Sequence, residues 1–233
     1  ARRAVACAVE MQCAMVDVNH YNESMGLPHV EMGIGLNTGE VIVGNIGSER
    51  RAKYGVVGRH VNLASRIETY TIGGQILISE DTKAAAGEDL LIDATLEVSP
   101  KGSKKPIRIH DVVGIGAEHG LRLPKRTSDL QELANSLPIK FSVLDGKNIP
   151  APDCEGTITH MGSKEARISS TRPVDATSVV AFDLPTTKPG AGARLRQGRI
   201  AGPSGRDLLL HFTSIGAAAA DVMAGLARAG GRS

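Results

Sequence analysis

The chain has 233 residues, of which 41% are hydrophobic and 22% charged, a globular composition that excludes a wholly disordered protein. Lys plus Arg number 27 against 25 Asp plus Glu, and the net charge of +2 gives no argument for a polyanionic partner. Aromatics at 3% with no Trp supply no stacking platform for nucleic acid, so none is expected as a partner.

No apolar run reaches the ~18 residues of a membrane span and no signal peptide opens the chain. The three cysteines, Cys7, Cys13 and Cys154, show no metal-ligand spacing and no even disulfide set, so the expected location is cytoplasmic. Residues 1–24 carry apolar positions at helical spacing (Val5, Val9, Met11, Met15, Val18), and Gly26 and Pro28 end that helix. Two short apolar runs follow, His29 to Leu36 and Glu40 to Ile46, and the turn-formers Asn37-Thr38-Gly39 between them predict a hairpin. Ser48 to Lys53 is a polar, basic loop. Val61 to Tyr70 is helical again and is stopped by Gly73-Gly74. Gln75 to Ser79 reads as a strand, Glu80 to Ala86 as a short helix closed by Gly87, and Leu90 to Val98 and Ile107 to Val113 as two more strands around the Pro100-Lys101-Gly102 turn. Helices and strands alternating in this way make a layered arrangement.

The second half changes character. Six short β-rich runs recur between turn signals: Ile139–Leu144, Gly156–His160, Ala166–Ser170, Ser178–Leu184, Ala193–Ile200 and Asp207–Phe212. With an Ala-rich helix at Ala217 to Ala229 they predict a small barrel closed by a C-terminal helix. Pro185 to Gly192 reads as a loop within it. Between the halves lie three glycines, Pro124-Lys125-Arg126 and an amphipathic piece, Asp129 to Ala134, expected to add a helical turn. The expected domains are 1–115 and 136–233, joined by a linker over 116–135.

The stretch from Gly33 to Ser79, GIGLNTGEVIVGNIGSERRAKYGVVGRHVNLASRIETYTIGGQILIS, carries the chemistry. Asn62 and Arg66 stand at i and i+4 and so share one helix face. A guanidinium offers permanently charged, fork-shaped donors and an amide both donates and accepts, a pair suited to phosphate and sugar. Gly58 and the Gly44–Gly47 loop would let backbone approach a ligand closely.

This segment resembles the class III nucleotide cyclase catalytic domain over residues 1 to 113. NTGEVIVGNIGS, then the tyrosine, glycine and VNLASRIE run, then GGQILIS stand in the family's order and approximate spacing. The resemblance implies an α+β, partial ferredoxin-like domain that makes a cyclic mononucleotide and pyrophosphate from ATP or GTP. By it, Asn62 orients the ribose, Arg66 stabilises charge on the α-phosphate, Lys101 contacts the triphosphate, and Gly55 stands where the family places a base-selecting residue. It also implies Mg2+ or Mn2+, and a homodimer whose composite sites take metal carboxylates from one subunit and the Asn, Arg and Lys group from the other. The family's two metal-binding aspartates lie upstream of the segment that opens this chain. The expectation is therefore a C-terminal part of a cyclase, inactive alone. The competing expectation is a non-catalytic signalling module with a regulatory barrel.

The second half, with GTITHMGSKEARI at Gly156 to Ile168, is similar to a PilZ-type domain. Arg122-Leu123-Pro124-Lys125-Arg126 fits that family's RxxxR pattern, but His160, Gly162 and Glu165 replace its D/N-x-S-x-x-G motif. Cyclic di-GMP is not expected to bind.

Overall fold

The computed structural model describes residues 1–48, 50–99, 105–116, 119–126, 128–144, 152–184, 193–201 and 204–214. The expected Pro100–Gly102 turn, the Pro185–Gly192 loop and the Ala217–Ala229 helix lie outside these residues. The chain divides into two compact units, Ala1–Lys125 and Arg126–Ser233, and the division falls inside the expected linker.

The first unit opens with α1 (Arg2–Ser24). Its buried face is Val5, Ala8, Val9 and Gln12, while Met11 and Val18, which belong to the same apolar pattern in the sequence, are exposed. The helix buries the stripe that repeats at three and four residues from Val5 through Gln12, and Met11 and Val18 sit off that stripe. After β1 (Ile34–Leu36), β2 (Ile42–Ser48) and β3 (Arg51–Val57) come α2 (Arg59–Glu68), β4 (Ile76–Ser79), α3 (Glu80–Ala86), β5 (Leu90–Val98), β6 (Ile107–Ile115) and the two-residue β7 (Leu121–Arg122). The main sheet runs β1-β4-β6-β5, with β1 parallel to β4 and the others antiparallel.

The expected hairpin across Asn37-Thr38-Gly39 does not form. β1 pairs instead with β4, Ile34 opposite Ile76 and Leu36 opposite Ile78. The hairpin is one strand later: β2 pairs with β3 from Ile42↔Val57 to Ser48↔Arg51, so the basic stretch expected as loop supplies the turn and the start of β3. The reason is burial. β1 packs Ile34 and Leu36 against the α1 core, whereas Ile42 (71% exposed) and Tyr54 (76% exposed) on the hairpin face solvent.

Two apolar clusters sandwich the sheet. Val5, Ala8, Val9, Ile76, Ile78, Ala86 and Val112 join α1 and α3 to one face. Ile67, Leu77, Val98 and Ile109 join α2 to the other. Ser79 Oγ accepts the Thr82 N–H at 3.2 Å to start α3, and Gly87, at φ +91, ends it.

In the second unit, β8 (Gln131–Val143), β9 (Cys154–Met161), β10 (Glu165–Val174), β11 (Val179–Leu184), β12 (Ala193–Ile200) and β13 (Gly205–Ser214) close into an antiparallel barrel in the order β10-β13-β12-β11-β8-β9. All six predicted strands are present. Phe141, Ile158, Met161, Ile168, Leu208 and Leu210 fill its interior. The helical turn expected over Asp129 to Ala134 is strand from Gln131 onward, paired with Met161 and His160 of β9. Leu133 is buried in the barrel core, and the Asp129 carboxylate accepts the Ser163 N–H at 2.9 Å, which anchors the approach to β8.

Candidate active site

The site begins with how α2 is seated. Gly33, just before β1, and Gly35 within it alternate along the chain, and α2 with the residues that follow it lies against them. A Cβ at Gly33 would stand 2.6 Å from Thr71 Cβ, and one at Gly35 would stand 2.7 Å from Glu68 Cα. Further along, a Cβ at Gly39 would stand 2.5 Å from His60 Cε1. The helix therefore runs antiparallel to β1, with its first turn over the Asn37–Gly39 loop and its last over Gly35. At Gly35 the helix backbone itself stands too close for a side chain, whereas at Gly33 and Gly39 the space is taken by the Thr71 side chain and the His60 ring.

Within α2, Ile67 is fully buried and Leu63 packs on the same cluster, which fixes the helix's rotation about its axis. Asn62 and Arg66, one turn apart, consequently sit on the exposed side. Neither side chain has a hydrogen bond or ion pair to any described residue. Gly58 is the N-cap, at φ +151, a backbone conformation open to glycine, and its carbonyl accepts the Asn62 N–H at 3.3 Å. That early start explains why the helix begins at Arg59 rather than at the expected Val61.

The other candidate residues fall as follows. Gly55 is half-buried on β3, directly opposite Gly44, on the strand that leads into Gly58 and α2. Asn62, Arg66 and Gly58 are thus united by one helix, and Gly55 by the strand before it. Lys101 lies outside the described residues. The strands that flank its turn, β5 and β6, are paired from Val98↔Ile107. Because β1 and β4 are parallel and β6 opposes β4, Val98 and Ile107 stand at the same end of the sheet as Asn37.

Sequence reasoning missed Asn37, Gly39 and His60, which hold the first turn of α2. Asn37 Nδ2 donates to the His60 carbonyl at 3.0 Å and faces His60 Nδ1 at 3.3 Å, and Arg59 Nε donates to His60 Nε2 at 3.0 Å. The available signal was the Gly-x-Gly alternation in Gly33-Ile34-Gly35, which marks a strand beneath a close neighbour rather than half of a free hairpin.

On the opposite sheet face, His110 Nε2 lies 3.2 Å from Glu80 Oε2, Thr95 Oγ1 lies 2.9 Å from His110 Nδ1, and Arg108 Nε lies 3.2 Å from the same Glu80 oxygen. Burial pushes His110 below the ordinary histidine range, against the opposing pull of Glu80. Burial would raise Glu80, but the His110 hydrogen bond and the Arg108 charge outweigh it and hold its carboxyl low. This cluster ties α3 to β5 and β6 and does not face α2. Among the described residues no group of three or more His, Cys, Asp or Glu side chains could hold a metal ion, and no helix is long and apolar enough to cross a membrane. The described residues therefore do not fit a divalent-metal site.

Residues 1–113 match the adenylate and guanylate cyclase catalytic domain. The solved structure of the guanylyl cyclase Cya2 is 56% identical where aligned, with a TM-score of 0.50, over 52% of this chain and 62% of that one. Adenylate cyclase of Anabaena cylindrica is 35% identical over 47% of this chain and 24% of its own length. Adenylate cyclase 1 of Rhizobium meliloti is 28% identical over 49% of this chain and 18% of its own length. The chain thus spans about a quarter or less of these two curated relatives. The first unit is similar over residues 1–113 to nucleotide cyclase catalytic domains, and these similarities do not favour the non-catalytic module.

Proposed function

We propose that this chain supplies the nucleotide-holding half of a cyclase site that converts a nucleoside triphosphate to a cyclic mononucleotide and pyrophosphate. One observation carries the reading. Asn62 and Arg66 project from the exposed side of a helix whose other side is locked to the sheet, and both are free of partners among the described residues. The helix that carries these groups is held in place, and they need not break an internal contact to bind a ligand.

In this reading the Asn62 amide holds the ribose. As the 3′-oxygen attacks the α-phosphorus and the bond to the departing pyrophosphate breaks, charge grows on the α-phosphate oxygens. The Arg66 guanidinium meets that charge with donors already aimed. Lys101 binds the triphosphate. Gly55 leaves the base pocket without a side chain to read the adenine amino group. That absence and the 56% identity to a guanylyl cyclase favour GTP as substrate.

Mg2+ or Mn2+ would be held by carboxylates outside the described residues or on a second subunit. The solvent-facing apolar side chains of the β2–β3 hairpin support a homodimer, because a two-stranded hairpin bearing Ile42, Val43, Val56 and Val57 outward favours a covering partner. The first unit is then the C-terminal part of a ferredoxin-like cyclase domain. The second unit is a PilZ-like regulatory or docking barrel that does not take cyclic di-GMP, in a cytoplasmic protein.

The test is complementation. Alone, the chain makes no cyclic nucleotide. Mixed with a full-length cyclase subunit of the same family whose own arginine is replaced, it restores one composite site. Arg66→Ala abolishes the rescue, a loss of ~3 kcal/mol or more in transition-state stabilisation. Robust activity of the isolated chain, or rescue that survives Arg66→Ala, would refute the assignment.

A further inference from the structure

We infer that His60 is a positioning residue, one that clasps the loop after β1 to the first turn of α2 and so sets where Asn62 and Arg66 stand. The inference rests on the cyclase reading for its catalytic consequence, and on geometry alone for the clasp.

The first turn of α2 lacks the usual supports. Its N-cap is Gly58, no side chain caps it, and it contains no acidic residue to meet the helix dipole. The apolar anchors Leu63 and Ile67 lie further along, so packing seats the middle and end of the helix but not its start. What holds the start is His60. Its carbonyl accepts the Asn37 amide N–H at 3.0 Å, and its ring lies against the Gly39 backbone, where no side chain larger than hydrogen fits.

The ring adds a further tie. Arg59 Nε reaches Nε2 at 3.0 Å and Asn37 Nδ2 reaches Nδ1 at 3.3 Å. Both neighbours are donors and a neutral imidazole has one acceptor nitrogen, so one of these two contacts is a hydrogen bond in either tautomer. The Asn37 amide cannot turn over to improve its ring contact, because its oxygen would then face the His60 carbonyl oxygen. Asn37 Oδ1 is in fact left buried with no hydrogen-bond partner among the described residues. Asn37 thus gives up one hydrogen bond while holding this geometry, and the clasp is where its amide is committed.

Asn62 stands two positions after His60, and Arg66 six. A frayed first turn would tilt or unwind the segment that carries Asn62 and shift Arg66 with it. Misplacement of about 1 Å at a reacting centre costs up to roughly a hundredfold in rate.

The experiment uses His60→Ala and His60→Gln in the complementation assay above, together with hydrogen exchange on the chain itself. Both variants keep the backbone carbonyl that Asn37 bonds, so His60→Ala removes only the ring, while Gln can still accept from Arg59. His60→Ala is expected to speed exchange of the Val61 to Ser65 amides about tenfold or more while the β4 and β6 amides keep their protection. It is expected to lower kcat ten- to hundredfold with KM changed less than threefold. His60→Gln is expected to restore both to within about threefold of wild type. Unchanged α2 exchange in His60→Ala overturns the ring's part in the clasp, and unchanged exchange in Asn37→Ala, which removes the bond to the His60 carbonyl, overturns the rest. A kcat unaffected by His60→Ala, a rise confined to KM, or failure of Gln to rescue overturns the positioning role. If the wild-type chain itself complements nothing, the cyclase reading fails, and the exchange result still decides the clasp.

Discussion

Replacing Gly35 by alanine tests the seat of α2 directly. The new Cβ would lie 2.7 Å from Glu68 Cα and closer still to Glu68 N, where ordinary contact begins near 3.4 Å, so helix and strand must part by about 1 Å. The obstructing atoms include the Glu68 backbone, which cannot rotate aside as a long side chain would. Overpacking of this kind costs about 1–3 kcal/mol, offset by about 0.5 kcal/mol from the reduced freedom of the unfolded chain. For a unit of this size the net loss lowers Tm by about 3–8 °C. The same displacement moves Arg66 and should lower the complementation rate about tenfold or more. Thermal unfolding followed by circular dichroism reads the first effect, and cyclic-nucleotide production reads the second. Gly44→Ala is the stability control, since nothing stands within 4 Å of a Cβ there. A Gly35→Ala protein that melts within 1 °C of wild type and complements within about twofold would refute the close approach of α2 to Gly35.

The remaining predictions concern pH, base choice and the barrel. His110 is held below its ordinary range in the folded chain by burial, so the unfolded chain takes up its proton first. Stability is therefore full above about pH 6.5 and falls with acidification from there, by at most about 1.4 kcal/mol per pH unit, until the folded form also protonates. Chemical denaturation from pH 7.5 to 5.5 should show that decline in wild type and a flatter profile in His110→Gln, and a flat wild-type profile would contradict it. Gly55→Asp should shift the ratio of ATP to GTP use toward ATP by about tenfold or more, since Gly55 has room for a side chain (nearest contact Ile46 Cδ1 at 3.6 Å) and a carboxylate can read the adenine amino group. An unchanged ratio would place base choice elsewhere. Asp129→Asn weakens the bond from the Ser163 N–H and, at an exposed position, should cost the barrel about 1 kcal/mol, read as a lower denaturant midpoint. No change would mean that the strand pairing alone holds the approach to β8.

Elements with strong local signals were legible in the sequence. The six barrel strands follow from apolar alternation between turn residues, and α3 follows from the Ser79 cap, the acidic first turn and Gly87. The failures have a common cause: partners distant in sequence overrode local cues. Asn37-Thr38-Gly39 has turn chemistry, but Ile34 and Leu36 are claimed by β4, forty residues on, so the strand before the turn pairs there. Asp129 to Ala134 has helical spacing, but Leu133 is taken into the barrel and Gln131 pairs with Met161. In the site, Asn62 and Arg66 were visible because a helical period puts i and i+4 on one face. The contacts that hold that face, Gly33 with Thr71 and Asn37 with His60, join segments more than twenty residues apart, which no local pattern reports.

The geometry also explains why rigidity and exposure are divided as they are in the first unit. A group that stabilises a transition state is effective when it is fixed before substrate arrives, so its support must not depend on the ligand. α2 meets this requirement through contacts that all lie on its inner side: Ile67 and Leu63 in the apolar cluster, glycines beneath it, and Asn37 at its start. On its outer side the Asn62 and Arg66 side chains have no hydrogen bond or ion pair among the described residues. The strand that delivers the chain to α2 is built in the opposite way, with a hairpin that rests on no core and shows its apolar side chains to solvent. Its glycine, Gly55, is therefore carried on an element whose final position is set by whatever covers it. Base choice should accordingly respond to dimer formation, whereas the Arg66 contribution should depend on the seat of α2. Substitutions on the hairpin's outer face, such as Ile42→Ser, should weaken association and relax base preference before they alter α2.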